Sequence, residues 1–160
     1  MQYKLPEETI MLQDTVKRFV DNELIPLETQ LPERPNSYEL PQDLYLELTG
    51  KVHEMGLTAR ETPEDAGGAG LGPLDNCIVT EQVHRSTAGC SVFSASFASM
   101  LYELGTEEQK NKYMVPSVKG EFHGSSAFSE PVAGGDMAGI QTTIEEKDGG
   151  WVINGNKCWI

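Results

Sequence analysis

One change of rhythm divides this chain. Up to about residue 121, apolar residues recur every three or four positions; beyond it they alternate with polar or small ones. The first rhythm keeps one face of a helix apolar, and the second keeps one face of a strand apolar. The chain therefore reads as α+β: an all-α helical bundle at residues 1–121, followed by the first antiparallel strands of a second domain at 122–160. Four strands at most cannot close a barrel, and the apolar faces carrying Trp151, Ile153, Trp159 and Ile160 are expected to be partly uncovered.

In the first part, Pro6, Glu7 and Glu8 suit an opening helical turn, with proline at its first position and acids near the positive end of the helix dipole. Leu12, Val16, Phe19 and Val20 follow as one stripe, and Pro26 is expected to end it. Residues 27–40, polar and carrying Pro32 and Pro35, read as a loop. Pro41 opens a second helix, with Leu44, Leu48, Val52 and Met55 on one face and Gly56 just past its end. Residues 58–72, with Pro63 and several glycines, read as a long irregular crossing. A third helix runs from about 72 to 86, with Leu74, Cys77 and Ile78 inward and a Glu81–Arg85 pair worth roughly 0.2–0.5 kcal/mol. Residues 90–104 form the least polar helix. Phe93, Phe97, Leu101 and Leu104 make its stripe and small residues fill its other faces, the pattern of a helix buried in a bundle. Gly105 stops it. Thr106 and Gln109 then fit a capping box, and that short helix closes near Pro116.

Beyond 121, Phe122, Gly124, Ser126 and Phe128 alternate as in a strand, and so do Ile140, Thr142 and Ile144. Asp148, Gly149 and Gly150 make a hairpin turn. Asn154 and Gly155 make a second, of the type that favours positive φ, so 151–153 and 156–160 read as short antiparallel strands. Between the two parts lies the run Ala-Phe-Ser-Glu-Pro-Val-Ala-Gly-Gly-Asp at 127–136. Pro131 lacks an N–H and restrains Glu130, so the chain leaves the ladder there. Gly134 and Gly135 let the backbone approach a neighbour without a Cβ clash. Successive N–H groups in such a loop can form an anion-binding concavity, and Ser129 adds a hydroxyl. A surface turn is the other reading of the same residues.

This run, followed by Asn154, Gly155, Asn156, Lys157, Cys158, Trp159 and Ile160, resembles the flavin signature of the acyl-CoA dehydrogenase family. Residues 63–72 (Pro-Glu-Asp-Ala-Gly-Gly-Ala-Gly-Leu-Gly) resemble the family's Pro-Glu-x-x-Gly-Gly-x-Gly loop. Residues 105–110 (Gly-Thr-Glu-Glu-Gln-Lys), with Tyr113, Pro116, Gly120 and Glu121, resemble another of its segments. The resemblance implies a helical N-terminal domain and the start of an incomplete β-barrel domain. It implies FAD as cofactor and α,β-desaturation of an acyl-CoA thioester, with a carboxylate taking the α proton and the flavin a hydride. It also implies an electron-transfer flavoprotein as partner and a homo-oligomer.

By the same resemblance, Ser129 bonds the flavin pyrimidine edge through its hydroxyl and backbone N–H, and the Phe128 backbone meets the same ring. Ser126 and Ala127 lie just before, at positions where the family often has an aromatic. Gly134 belongs to the glycine loop. Gly135 stands where the family usually has a serine near the pyrophosphate, so it keeps the N–H and loses the hydroxyl. Trp159 packs on the isoalloxazine ring, with a core role as the alternative, and Ile160 is the next flavin contact. Phe97, Met100 and Leu101 border the fatty-acyl pocket or pack the core, and Gly135 reaches the substrate side. Asp136 suits a turn or N-cap, and Glu130 suits bridging within its own loop. The family's catalytic glutamate lies in a C-terminal domain that nothing here matches, so no catalytic residue is assigned. The chain alone is expected to lack turnover and to bind FAD weakly or not at all. An acyl-CoA oxidase, a flavin monooxygenase relative and a non-catalytic interaction module are the rival readings.

Charge narrows the partners. The formal net charge of −13 argues against nucleic acid, since phosphate contacts need a basic surface. No run is apolar and long enough to cross a bilayer, and no signal segment is evident at the start. Cys77, Cys90 and Cys158 are odd in number and widely spaced, which suits free thiols in the cytoplasm. His53, His84 and His123 are isolated, so no metal cluster is expected.

Overall fold

The computed structural model describes residues 4–30, 40–93, 97–121 and 126–160, without the side chains of 90 and 91. It is α+β. The chain splits into two compact units, Met1–Gly124 and Ser125–Ile160.

In the first unit, α1 (Glu7–Phe19) begins one residue later than the proline suggests. Pro6 is the N-cap, and its carbonyl accepts the first helical bond, from Ile10 N–H. The stripe is as read: Val16 and Val20 are fully buried, Phe19 nearly so, and Leu12 packs on them. Pro26 does not end the helix. A wide π turn (Val20–Leu24) closes with Ile25 N–H bonded to the Val20 carbonyl, and α2 (Ile25–Gln30) continues through the proline. The same device recurs downstream. There, α7 (Glu107–Gln109) runs into a π turn (Lys110–Met114) closed by Val115 N–H on the Lys110 carbonyl, and α8 (Val115–Val118) carries Pro116 without stopping. An ordinary turn would set the proline ring against the carbonyl four residues back. The wide turn takes up one extra residue and moves that carbonyl out of line. In both places the proline comes two residues after the wide turn ends.

Pro41 N-caps α3 (Gln42–Glu54), which buries Leu48, Thr49 and Val52. Gly56 lies just beyond its end at φ 72°. Leu57 N–H bonds the Val52 carbonyl and Gly56 N–H the His53 carbonyl, the paired bonds of a Schellman motif. In α4 (Pro73–Val83) the buried face is Val79, Gln82 and Val83, while Leu74 and Cys77 are exposed and Ile78 half-buried. The face is carried by Val79 and Val83, which join the main core in place of Leu74 and Cys77. On the same face Asp75 accepts the Thr9 hydroxyl of α1 at 2.6 Å. Arg85 does not pair with Glu81 as expected. It reaches Asp21 on the π turn at 2.6 Å, so its contact ties two helices together.

Residues 90–104 are not one helix among the described residues: α5 (Gly89–Val92) and α6 (Ala98–Leu104) are separate, and 94–96 lie outside them. Phe93 is buried edge-on against Phe19, with ring centroids 5.6 Å apart. Leu104 does not join that stripe; it is 80% exposed. The core runs through α1, the first π turn, α3, α4 and α5, and a smaller cluster joins Ala59, Ala98, Met114 and Val118. Between α3 and α4 the chain doubles back, with Ala69 and Leu71 N–H on the Ala59 and Arg60 carbonyls. A Cβ at Gly68 would sit 2.0 Å from the Thr62 carbonyl oxygen, so only glycine fits that crossing. Thr106 and Gln109 form the capping box.

In the second unit, β1 (Thr143–Lys147) and β2 (Gly150–Asn154) pair antiparallel, with Ile144 opposite Ile153 and Glu146 opposite Trp151. Asp148 at φ 55° and Gly149 at φ 77° make the two-residue turn, as read. Ile144, Trp151 and Ile153 are each at least 60% exposed. Three expectations fail here. Residues 126–129 form no strand (122–125 lie outside the described residues), and 156–160 form none either. Only one backbone bond joins these two stretches, and a ladder needs several. Gly155 is not in the left-handed region. A Cβ there would meet the Thr142 hydroxyl at 2.1 Å, so glycine is needed for space rather than for φ.

Two glycine substitutions in or beside α3 are expected to have opposite signs in chemical denaturation. Gly56→Ala forces alanine into a left-handed conformation and costs about 1–2 kcal/mol. Gly50→Ala, inside α3 with nothing within 4 Å of an added Cβ, gains roughly 0.5–1 kcal/mol.

Candidate functional site

The second unit is built around one buried acid. Glu130 is 6% exposed, and its carboxylate accepts four hydrogen bonds. Gln141 N–H donates to Oε2 at 2.8 Å; Thr142 N–H and Oγ1 donate to Oε1 at 2.9 and 2.5 Å; Lys157 Nζ donates to Oε1 at 2.9 Å. These donors, led by the Thr142 hydroxyl and the Lys157 ammonium, hold the carboxyl down to about 2. The local chain makes the acid available. Glu130 N–H and carbonyl close a tight turn with Ala133 at 2.8 and 3.2 Å, and Pro131 at the next position keeps the turn from running on. The acid does not bridge within its own loop as expected: its partners are Gln141, Thr142 and Lys157, so it clasps the chain leading into β1 and the chain leaving β2. Behind it lies a cleft of about 260 Å³ lined also by Pro131, Gln141, Thr142, Gly155 and Asn156.

Lys157 has a second bond. Its Nζ donates to the Phe128 carbonyl at 3.1 Å. One residue on, Cys158 N–H donates to the Ser129 carbonyl at 3.0 Å. Phe128 and Ser129 are thus brought beside 157 and 158, with Trp159 next in the chain. Both halves of the sequence motif meet in this unit. The sequence assigns no site role to Lys157, Thr142 or Gly155, although Lys157 and Gly155 stand in the motif. A signal existed: Lys147 and Lys157 are the only basic residues in 126–160, so an inward Glu130 had few cations to choose from.

The motif's outer surface is open. Phe128, Trp159 and Ile160 are 56%, 94% and 64% exposed, and Ser126, Ala127, Gly134 and Gly135 are exposed too. A Cβ at Gly134 or Gly135 would meet nothing within 4 Å. Nothing among the described residues requires glycine at these two positions. Among the described residues, no partner is found for the Ser129 hydroxyl, its N–H, or the N–H groups of Gly134 and Gly135. Asp136 caps the short turn Met137–Gly139, its Oδ1 accepting Ala138 N–H at 3.2 Å. Trp159 is not a core residue, and it sits at φ 60°, a region bulky side chains rarely adopt.

Phe97, Met100 and Leu101 belong to the helical unit. Leu101 packs on the smaller core cluster, Phe97 is half-buried at the N-cap of α6, and Met100 is 51% exposed. That unit has its own cleft of about 600 Å³, lined by Glu61, Leu71, Pro73, Asn76, Cys77, Thr80 and Glu81. Cys77 and Cys158 are free thiols. Among the described residues there is no group of acidic, histidine or cysteine side chains that could hold a metal, and no helix is long and apolar enough to cross a membrane.

The chain is similar to known proteins. The family description "Acyl-CoA dehydrogenase, N-terminal domain" matches residues 6–121. (R)-benzylsuccinyl-CoA dehydrogenase of Thauera aromatica is 36% identical over 172 aligned positions, which cover all of this chain and 42% of that protein. The mitochondrial isovaleryl-CoA dehydrogenase of Arabidopsis thaliana is 34% identical, covering 94% of this chain and 36% of that one. A solved acyl-CoA dehydrogenase of Bacillus anthracis complexed with FAD superposes with a TM-score of 0.75 at 28% identity, over 98% of this chain and 27% of that one. The chain spans about two fifths of the length of these two curated relatives.

The Glu130 carboxyl is held below its ordinary value near 4.5, so its stabilisation is complete above that pH and fades as the pH falls toward 2. Protection of the Gln141 and Thr142 amides, measured as exchange relative to the intrinsic rate at each pH, is expected to fall across that window in the unsubstituted chain. In Glu130→Gln that protection is expected to be low throughout, with no transition between 4.5 and 2.

Proposed function

The chain belongs to the acyl-CoA dehydrogenase family, and from that premise we propose that 126–136 and 157–160 form the flavin-facing edge of an FAD-dependent enzyme that desaturates the Cα–Cβ bond of an acyl-CoA thioester. The observation that carries the proposal is the bond from Cys158 N–H to the Ser129 carbonyl, which joins the two halves of the motif. On the open side lie groups that suit a flat ring with a phosphate tail. The Ser129 hydroxyl and N–H have no partner among the described residues and suit the pyrimidine edge. Trp159 offers an exposed indole for stacking. Gly134 and Gly135 offer N–H groups with no Cβ in the way. A net charge of −13 leaves few cations for the phosphates, so backbone N–H groups hold them in this reading.

Bound FAD would supply the hydride acceptor for the β carbon. This chain's part is to bind and orient. Glu130 is not the base for the α proton: it is buried, ionised and committed to four donors. Phe97, Met100 and Leu101 are the residues we place along the acyl chain, and Gly135 is the one we place toward the CoA side. An electron-transfer flavoprotein as electron acceptor and assembly as a homo-oligomer follow from the family reading. Free thiols at Cys77 and Cys158 suit a cytoplasmic location.

With Trp151→Phe, tryptophan emission reports Trp159 alone. Titration of FAD into that chain is expected to give weak but saturable quenching. Linear collisional quenching, like that of free tryptophan amide, together with dimers on sizing would favour the interaction module instead. Gly135→Ser restores the hydroxyl into empty space, and unfolding stability should stay within about 0.5 kcal/mol. The added hydrogen bond, worth about 0.5–1.5 kcal/mol, should tighten FAD roughly two- to tenfold. Unchanged affinity would show that no phosphate lies at this position.

A further inference from the structure

The bond from Lys157 to the Phe128 carbonyl has a consequence for the neighbouring residue. A carbonyl and the N–H of the next residue belong to one flat unit and point in opposite directions when the peptide is trans. No cis peptide occurs among the described residues. Fixing the Phe128 oxygen therefore fixes the direction of the Ser129 N–H. Lys157 Nζ does this at 3.1 Å, and it is itself held by Glu130 at 2.9 Å, with only 24% of its side chain exposed. The next peptide plane is fixed independently, because the Ser129 carbonyl accepts Cys158 N–H at 3.0 Å. Two consecutive planes are locked from the inner side, while the Ser129 N–H and hydroxyl find no partner among the described residues and remain for a ligand. An amide donor counts only when it points at its acceptor, since hydrogen bonds weaken steeply below about 120°.

We propose that Lys157 is a positioning residue: held by buried Glu130, it grips the Phe128 carbonyl and so aims the Ser129 N–H at the pyrimidine edge of the flavin. The assignment rests on the flavin reading above. Lys157 touches neither ring nor substrate in this account. It acts by orientation, and the charge it supplies to Glu130 is what keeps it in place.

The experiment compares the unsubstituted chain with Lys157→Met, Lys157→Arg and the control Lys147→Met, which removes the same charge from the exposed strand β1. Each is titrated with FAD to saturation, and the absorption spectrum of the bound flavin is recorded there. At saturation, differences in affinity drop out and the spectrum reports how the ring is hydrogen-bonded. Lys157→Met is expected to bind FAD about tenfold more weakly and to shift the bound spectrum. Lys157→Arg, which keeps a cationic donor, should recover most of both effects, and Lys147→Met should match the unsubstituted chain. If Lys157→Met lowers affinity but leaves the saturated spectrum unchanged, or if Lys147→Met has the same effect, Lys157 only supports the fold and the proposal is wrong. If Lys157→Met no longer reaches saturation, the Arg variant decides: a normal spectrum supports the proposal, and none overturns it. If the unsubstituted chain shows no saturable signal, the flavin reading itself fails.

Discussion

A carboxylate taken out of water must find donors, or the chain that carries it will not stay folded. Glu130 meets that demand with two backbone N–H groups, a hydroxyl and an ammonium, drawn from 141–142 and 157. The second unit needs such a hub because it has little else. Its two strands are five residues each, and Ile144, Trp151 and Ile153 stand in solvent. A lone hairpin of this length is marginal at best. Burial cannot set where 128–129 lie relative to 157–159, so charge-assisted hydrogen bonds set it. Removing one partner would leave the others buried and unsatisfied, which makes the clasp a single cooperative object.

The helical unit rests on different physics. Val16, Val20, Leu24, Leu48, Val52, Val79 and Val83 are almost wholly removed from water, and the helices follow from the need to bury them together. Its polar contacts choose among orientations. Thr9 on Asp75 and Arg85 on Asp21 are individually weak at a surface, but each joins segments more than sixty residues apart. The two wide turns are the unit's second device. They let a helix continue through Pro26 and Pro116, so that α2 and α8 extend the segments before them.

Much of this was legible in the sequence, and the failures share a cause. The α1 and α3 stripes, the capping box at Thr106, the glycine stop at Gly56 and the Asp148–Gly149 turn are local signals, and each was readable where it stood; Glu130 reads as a bridge within its own loop because its partners lie 11 to 27 residues away. Pro26 and Pro116 misled because a proline is a stop only if the preceding turn is ordinary, and nothing in the residue types announces a wide turn. The face of α4 was misplaced because the helix has apolar residues on both sides, and Val79 and Val83, not Leu74 and Cys77, meet the core of α1 and α3. Gly155 was read for its dihedral freedom when its real constraint is Thr142 passing within van der Waals range. Lys157 was visible as a member of the motif but not its role: nothing local shows what its ammonium holds until the fold sets it beside Phe128 and Glu130.

One contact joins the two halves of the motif, the backbone bond that brings Ser129 beside Cys158. It can be observed without any ligand, through scalar coupling across the hydrogen bond in a long-range HNCO experiment on the uniformly labelled chain. A cross-peak linking the Cys158 amide nitrogen to the Ser129 carbonyl carbon is the result expected. A missing cross-peak, with the Cys158 amide exchanging at the rate of an unstructured peptide, would mean that the two halves of the motif do not meet.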